Sequence, residues 1–356
     1  MTSSLHPAAV GQQPVVPQAH APRRTLRASA PMLRYVAVRL VTLLVSLVLA
    51  AVVVFVVLRL LPGDSAGTTL GVGTTTDQLD QLRSELGTDQ SSLAQLGDWA
   101  GALLTGDLGT SFVSRLPVGE LITSKLPITV PLSLAAFVLS VLVSVPLGVV
   151  AAVKRRGVVG VAVSAVSQLG VAVPVFWVGV LLVWIFALRL GVLPPGGFPR
   201  QGWDDPAAAV RSLVLPVVTV SVAMSSVMVR YVRSATLDVL DQDYVRTARS
   251  LGYGRWQALA RHGLRNGAVP VVAILGIELA TSLLGAVVIE NVFALPGLGT
   301  LLLDSVNGRD LPVVQALVLA ITAVVLVVNF GVDLLQRAID PRLRLGSTLG
   351  AAGSSR

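Results

Sequence analysis

The sequence predicts an all-α membrane protein with six transmembrane helices and an external loop region between the first two. Three observations carry that reading. Of 356 residues, 53% are hydrophobic and only 13% are charged, where soluble domains carry about 25% charged residues. The apolar residues gather in six stretches, each long enough to cross about 30 Å of hydrocarbon at ~1.5 Å per residue. The intervening segments alternate in charge. An ordinary cytoplasmic enzyme is excluded on composition, and the absence of cysteine excludes disulfides, thiolate metal sites and cysteine nucleophiles.

Residues 1–31 are rich in Pro, Ala, Ser and Gln without periodicity and are expected to form a disordered N-terminal tail. The transmembrane domain then occupies 32–344, and a Gly/Ser/Ala tail, also expected to be disordered, follows at 345–356. The first span is expected at Tyr35–Leu60, stopped by Pro62-Gly63-Asp64. It is too long for the apolar region of a signal peptide and meets no small-residue cleavage site. The loop 61–126 is about 65 residues long, well beyond an ordinary connection. Within it Leu79, Leu82, Leu86, Leu93, Leu96, Trp99 and Leu103 recur at three- and four-residue intervals, the signature of short amphipathic helices. Such a cap serves either as a docking platform for incoming solute or as a packed tether.

The second span is expected at Ile128–Val153, opened by Pro127 and Pro131, and the third at Val158–Leu188. The fourth, Leu213–Val229, is the shortest. A polar loop follows at 230–266, then spans at Val269–Ile289 and Pro312–Leu335, with Pro312 in a first helical turn where no N–H donor is needed.

With the N-terminus inside, the cytoplasmic segments hold 19 of the 27 basic residues and four acids, whereas the opposite side holds eight basic residues, counting Arg59 at the edge of the first span, and thirteen acids. Basic loops resist translocation, so both termini are expected to be cytoplasmic, in a multi-pass protein of the cell's inner (plasma) membrane. The net charge of +8 is thereby explained by topology and membrane lipid, and no nucleic-acid partner is expected.

Polar groups within the spans should turn toward the bundle interior. In the sixth span Gln315, Thr322 and Asn329 repeat every seven residues, with Asp333 one turn beyond; in the fifth, Glu278, Thr281, Ser282 and Gly285 form another stripe. Smaller stripes are Ser133, Ser140 and Ser144 in the second helix, and Ser164, Ser167 and Gln168 in the third. Serines and threonines also serve simply as packing contacts between membrane helices. Glu278 is the stronger pathway candidate, because a carboxylate in hydrocarbon is costly unless paired or hydrated.

No catalytic constellation is present. The two lysines, Lys125 and Lys154, follow no glycine-rich phosphate loop, and His6, His20 and His262 are scattered, so neither a nucleotide site nor a metal site is expected on this chain. If ATP and Mg²⁺ are used, partner subunits bind them.

The loop Arg230–Arg265 is expected to form a helix, a glycine turn at Gly252-Tyr253-Gly254, and a second helix. Tyr244, Ala248 and Leu251 would share one face, with Arg246 and Arg249 elsewhere, and Trp256, Leu259 and Ala260 would begin another. Such a helix suits either a partner protein that moves it as a lever or an anchorage on lipid headgroups.

The run Asp243-Tyr-Val-Arg-Thr-Ala-Arg-Ser-Leu-Gly252, with Arg261-His-Gly-Leu-Arg-Asn266 and Pro270, resembles the cytoplasmic loop of permease subunits of binding-protein-dependent ABC importers, dipeptide/oligopeptide/nickel branch. Three further patches resemble the same branch: Arg59-Leu-Leu-Pro-Gly-Asp64; Glu290-Asn-Val-Phe-Ala-Leu-Pro-Gly-Leu-Gly299 with Arg309-Asp-Leu-Pro-Val-Val-Gln315; and Asp340-Pro-Arg342. The wider family shows Glu-Ala-Ala where this chain has Arg246, Thr247 and Ala248, keeps the glycine at Gly252, and has Ile, Leu and Pro at His262, Leu264 and Arg265. A salt bridge made by the family's glutamate is therefore not expected here.

The resemblance implies a type I ABC importer permease fold, pairing with a second homologous permease, two ATPase domains and an extracytoplasmic solute-binding protein. It implies ATPase coupling through Asp243, Tyr244, Arg246, Thr247, Ala248 and Gly252. The expected pathway residues are Glu278, Ser282 and Asn329; the expected external gate or binding-protein contact is Phe293, Pro296, Gly297 and Gly299. Peptides are the expected cargo, with nickel chelates and glutathione as alternatives. An ion-coupled secondary carrier using Glu278 or Asp333 is the competing mechanism.

Overall fold

The computed structural model describes residues 29–60, 90–258 and 264–339. The expected disordered tails, apart from 29–31, lie outside the described residues, as do Leu79, Leu82, Leu86, Leu259, Ala260, His262 and Asp340–Arg342.

Helix α1 covers Ser29–Leu60 and so begins inside the expected tail. A surface helix α2 (Ser92–Thr105) follows, capped by the Ser91 hydroxyl, which accepts the Ala94 N–H at 3.3 Å. Its Leu96, Trp99 and Leu103 are half-buried, as the spacing predicts, whereas Leu93, expected on the same face, is exposed in the first turn. Trp99 stacks on Phe55 of α1 at 6.0 Å between ring centroids.

Helix α3 (Val118–Val153) starts ten residues before the expected span, and Pro127, Pro131 and Pro146 lie inside it. Prolines survive in membrane helices when neighbouring groups satisfy the freed carbonyls. Trp203 does this for one of them: its indole N–H donates to the Pro127 carbonyl at 2.8 Å, the carbonyl whose helical partner would be the N–H that Pro131 lacks.

The expected third span is not one helix. It breaks into α4 (Val158–Ala172) and α5 (Val175–Leu182, continued by a π-helical turn Val183–Arg189), bent by 101°. Pro174 causes the break by removing a donor and forcing Val173 to extended angles, φ −83 and ψ 126. Among the described residues five helices are long and apolar enough to cross a membrane, or six when the bent pair counts as one span.

The expected fourth span is the largest correction. Far from being the shortest, α6 runs over Pro206–Leu240 and absorbs the first part of the expected loop 230–266. It lies at the centre, packed on α3, α4, α5 and on α9 (Leu264–Val292). In its most apolar stretch 67% of residues are buried, against 11% in α1. A helix enclosed by other helices needs no uninterrupted apolar surface, so four of its five serines, Ser212, Ser221, Ser225 and Ser226, are buried in the packing. Helix α6 is followed by the short helices α7 (Asp243–Ser250) and α8 (Arg255–Ala258). Helix α9 leads to α10 (Leu298–Asn307) and α11 (Leu311–Ile339), and α1 packs on α11 at the periphery. The outward apolar side chains of α1, such as Val41, Val45 and Val48, are exposed, as lipid contact requires.

Candidate functional site

At the end of the bundle where basic residues concentrate, α7 is seated across the ends of α3 and α6. Val245 is fully buried and Ala248 is 5% exposed, in one cluster with Val153 at the end of α3 and Val239 near the end of α6. Burial of each valine contributes roughly 1.5–3 kcal/mol. Arg155 and Asp241 add an ion pair at 3.5 Å, which at its exposure is worth ~0–1 kcal/mol.

The seated face is therefore Val245/Ala248, not the expected Tyr244/Ala248/Leu251. Leu251 lies past the end of α7 and is 74% exposed. Asp243, Tyr244, Arg246 and Thr247 form an exposed ridge, whereas Ala248, expected at a partner contact, faces the seat. Asp243 stands in the first turn, where the helix dipole favours an acid, 3.6 Å from Arg246. Gly252 adopts φ +92, and the Tyr253 N–H returns to the Ala248 carbonyl at 3.3 Å. This left-handed cap ends the helix and needs glycine.

Deeper in the bundle, Glu278 of α9 is 7% exposed and lines a cavity of about 480 Å³ with Val220, Met224 and Tyr231 of α6 and Ile277 and Thr281 of α9. The other expected pathway residues are not brought to it. The Ser282 hydroxyl is buried and donates to the Leu279 carbonyl at 2.7 Å. Asn329 is exposed on α11 and is not among the cavity's lining residues. Asp333 pairs with Arg39 of α1 at 3.2 Å.

At the opposite end, the expected external-contact residues are mostly internal. Phe293 is 1% exposed, and Gly297 and Gly299 are buried; Pro296 alone of the four is exposed. The buried centre of this segment is Glu290. One carboxylate oxygen accepts the Thr129 hydroxyl at 2.5 Å and the other the Gly299 N–H at 2.6 Å, in the first turn of α10. The glycines are steric necessities: a Cβ at Gly297 would lie 2.1 Å from the Glu290 carboxyl carbon, and one at Gly299 2.4 Å from the Val287 backbone. Asp310 makes a parallel tie, accepting hydrogen bonds from the Ser111 hydroxyl and from the Phe112 N–H, the latter at 2.9 Å. Sequence reasoning missed the roles of Glu290, Asp310 and Trp203. The first two lay within the motifs quoted for the resemblance, which was the available signal.

The family described as "binding-protein-dependent transport system inner membrane component" matches residues 144–345, and its N-terminal companion matches 32–135. A Brucella abortus protein, provisionally named a peptide transport system permease protein, is 39% identical over 298 residues, covering 84% of this chain and 95% of its own. A Salmonella typhimurium glutathione transport system permease protein is 39% identical over 313 residues, covering 88% and 99%. A chain of the inward-facing MetNI methionine ABC transporter shares the fold, with TM-score 0.53 and 18% identity over 62% of this chain and 97% of that one.

Proposed function

The chain belongs to the family of binding-protein-dependent transport system inner membrane components, and from that premise we propose that it forms the translocation pathway of an ATP-driven importer of di- and oligopeptides and couples that pathway to separate ATPase subunits. It is a multi-pass membrane permease, a transport subunit and not an enzyme. In the proposed complex it pairs with a second homologous permease, two ATPase domains that bind ATP and Mg²⁺, and an extracytoplasmic solute-binding protein. The basic end and both termini face the cytoplasm.

The observation that carries the coupling is the seat of α7. A helix fastened through Val245 and Ala248 to the ends of both α3 and α6 transmits a displacement to the two helices that form the centre of the bundle. Asp243, Tyr244, Arg246 and Thr247 are the surface for the ATPase, and Ala248 and Gly252 hold that surface in place. ATP binding draws the ATPase domains together, α7 follows, and the bundle passes from inward-facing to outward-facing to accept solute; hydrolysis resets it. Glu278 lies on the pathway, Ser282 packs behind it, and Asn329 faces away in this conformation. At the outer end Pro296 is the member of the 293–299 segment that meets the binding protein, on a base formed by Phe293, Gly297 and Gly299.

Peptide cargo is supported by the names of the relatives, and glutathione, itself a tripeptide, is the first competitor to test. The experiment is uptake by the complex purified through this chain and reconstituted in vesicles. Trialanine uptake that requires ATP and ignores a protonophore is expected. Uptake that ignores ATP and stops with the protonophore would establish the ion-coupled carrier instead.

A further inference from the structure

We infer that the cavity at Glu278 is a subsite for the protonated amino group of the cargo. The inference rests on the import reading for the identity of the cargo, but not for the charge the cavity selects.

Glu278 differs from the other inward-facing acids. Glu290 has Thr129 and the first turn of α10, Asp310 has Ser111 and Phe112, and Asp333 has Arg39. Among the described residues the Glu278 carboxylate has no hydrogen-bond donor and no cation, although the residue is 7% exposed. No Lys, Arg or His lines its cavity. A carboxylate in that position calls for a donor, and none of the described residues supplies one.

The chemistry of the lining narrows what that donor is. The Thr281 hydroxyl spends its hydrogen on the Glu278 backbone carbonyl at 3.0 Å, leaving its lone pairs as acceptors. Thr281 and Glu278 together therefore offer acceptors, and most of the other walls, including Val220, Met224 and Ile277, are apolar. An ammonium group, compact and carrying three donors, satisfies this set, while the only donor side chain left in the lining is the Tyr231 hydroxyl, which is neutral and gives an anion no counter-charge. The volume of about 480 Å³ suits a small solute. Beyond Glu278 and Thr281 the Tyr231 hydroxyl is the one other polar side chain of the lining, so the rest of a peptide meets mostly apolar wall, and the site reads its free amino terminus more than its sequence. Its place near the start of the Ile274–Val292 span, at the end bearing α7, puts this recognition late on the import path.

The chain has no cysteine, so Ala223→Cys, which lines the cavity, supplies its sole thiol. In the purified complex, the rates at which a trimethylammonium and a sulfonate methanethiosulfonate label this chain are compared by mass spectrometry. The cation-to-anion rate ratio is expected to fall about tenfold with Glu278→Gln and to persist with Glu278→Asp. Trialanine should slow labelling, and N-acetyl-trialanine should not. The inference is overturned by a ratio indifferent to Glu278→Gln, by equal protection from both peptides, or by a thiol inert to both reagents. Loss of the second permease from the Glu278→Gln complex overturns it too, since the carboxylate would then be an intersubunit ion pair. A wild-type complex without ATP-driven uptake but with the charge ratio intact would reject the import reading and leave the subsite standing.

Discussion

Thr129 hands its hydroxyl hydrogen to Glu290 across 2.5 Å while its oxygen accepts the Leu298 N–H at 2.9 Å. One hydroxyl thus joins α3, the end of α9 and the start of α10. Thr129→Val leaves a buried carboxylate and a buried amide each short of a partner, and is expected to destabilise the purified chain by about 1–3 kcal/mol. Thermal unfolding measures it: Thr129→Ser should stay near wild type, and an unchanged midpoint for Thr129→Val would contradict this role.

Trp203 satisfies the Pro127 carbonyl at 2.8 Å because Pro131 provides no N–H. Trp203→Phe should cost about 1 kcal/mol, and in a Pro131→Ala background, where the helix regains its own donor, that hydrogen-bond cost should largely vanish. A double-mutant cycle on unfolding free energy detects the coupling; strictly additive effects would show that the indole contributes by packing alone.

The seat of α7 and its exposed ridge should separate under mutation. Val245→Asp buries a charge in the Val153/Val239 cluster and should unseat the helix. Gly252→Pro cannot adopt φ +92, and Arg246→Glu reverses charge on the ridge while leaving the seat intact. All three should lower solute-stimulated ATP hydrolysis at unchanged membrane levels of the chain. Normal coupling in all three would remove α7 from the mechanism.

Asp333 is paired with Arg39 between α11 and α1, with side chains 28% and 42% exposed. A pair this open contributes ~0–1 kcal/mol, so Asp333→Asn should leave ATP-driven uptake within about twofold of wild type. Abolished uptake with intact complex assembly would favour a proton-site role for Asp333.

The spans were legible wherever a helix faces lipid, because lipid contact demands continuous apolar surface: α1 and α11 lie where expected. Legibility failed for α6, whose buried face is filled with serines, and for the third span, where Pro174 breaks the helix. For α7 the helix and its glycine stop were readable, but the buried face was misjudged by one residue, Tyr244 for Val245, because the apolar residues of so short a segment do not define a single stripe. Glu290 stands within a family-like motif, but a carboxylate that caps a neighbouring helix is visible only once Thr129, Gly297 and Gly299 are brought around it.

The claim on which the account depends is that α7 meets an ATP-hydrolysing subunit. A photoreactive amino acid in place of Arg246, whose side chain is 66% exposed, tests it in native membranes under turnover. The account predicts an adduct with the ATPase subunit whose yield changes with bound nucleotide. Adducts with phospholipid alone, in every nucleotide state, would contradict it.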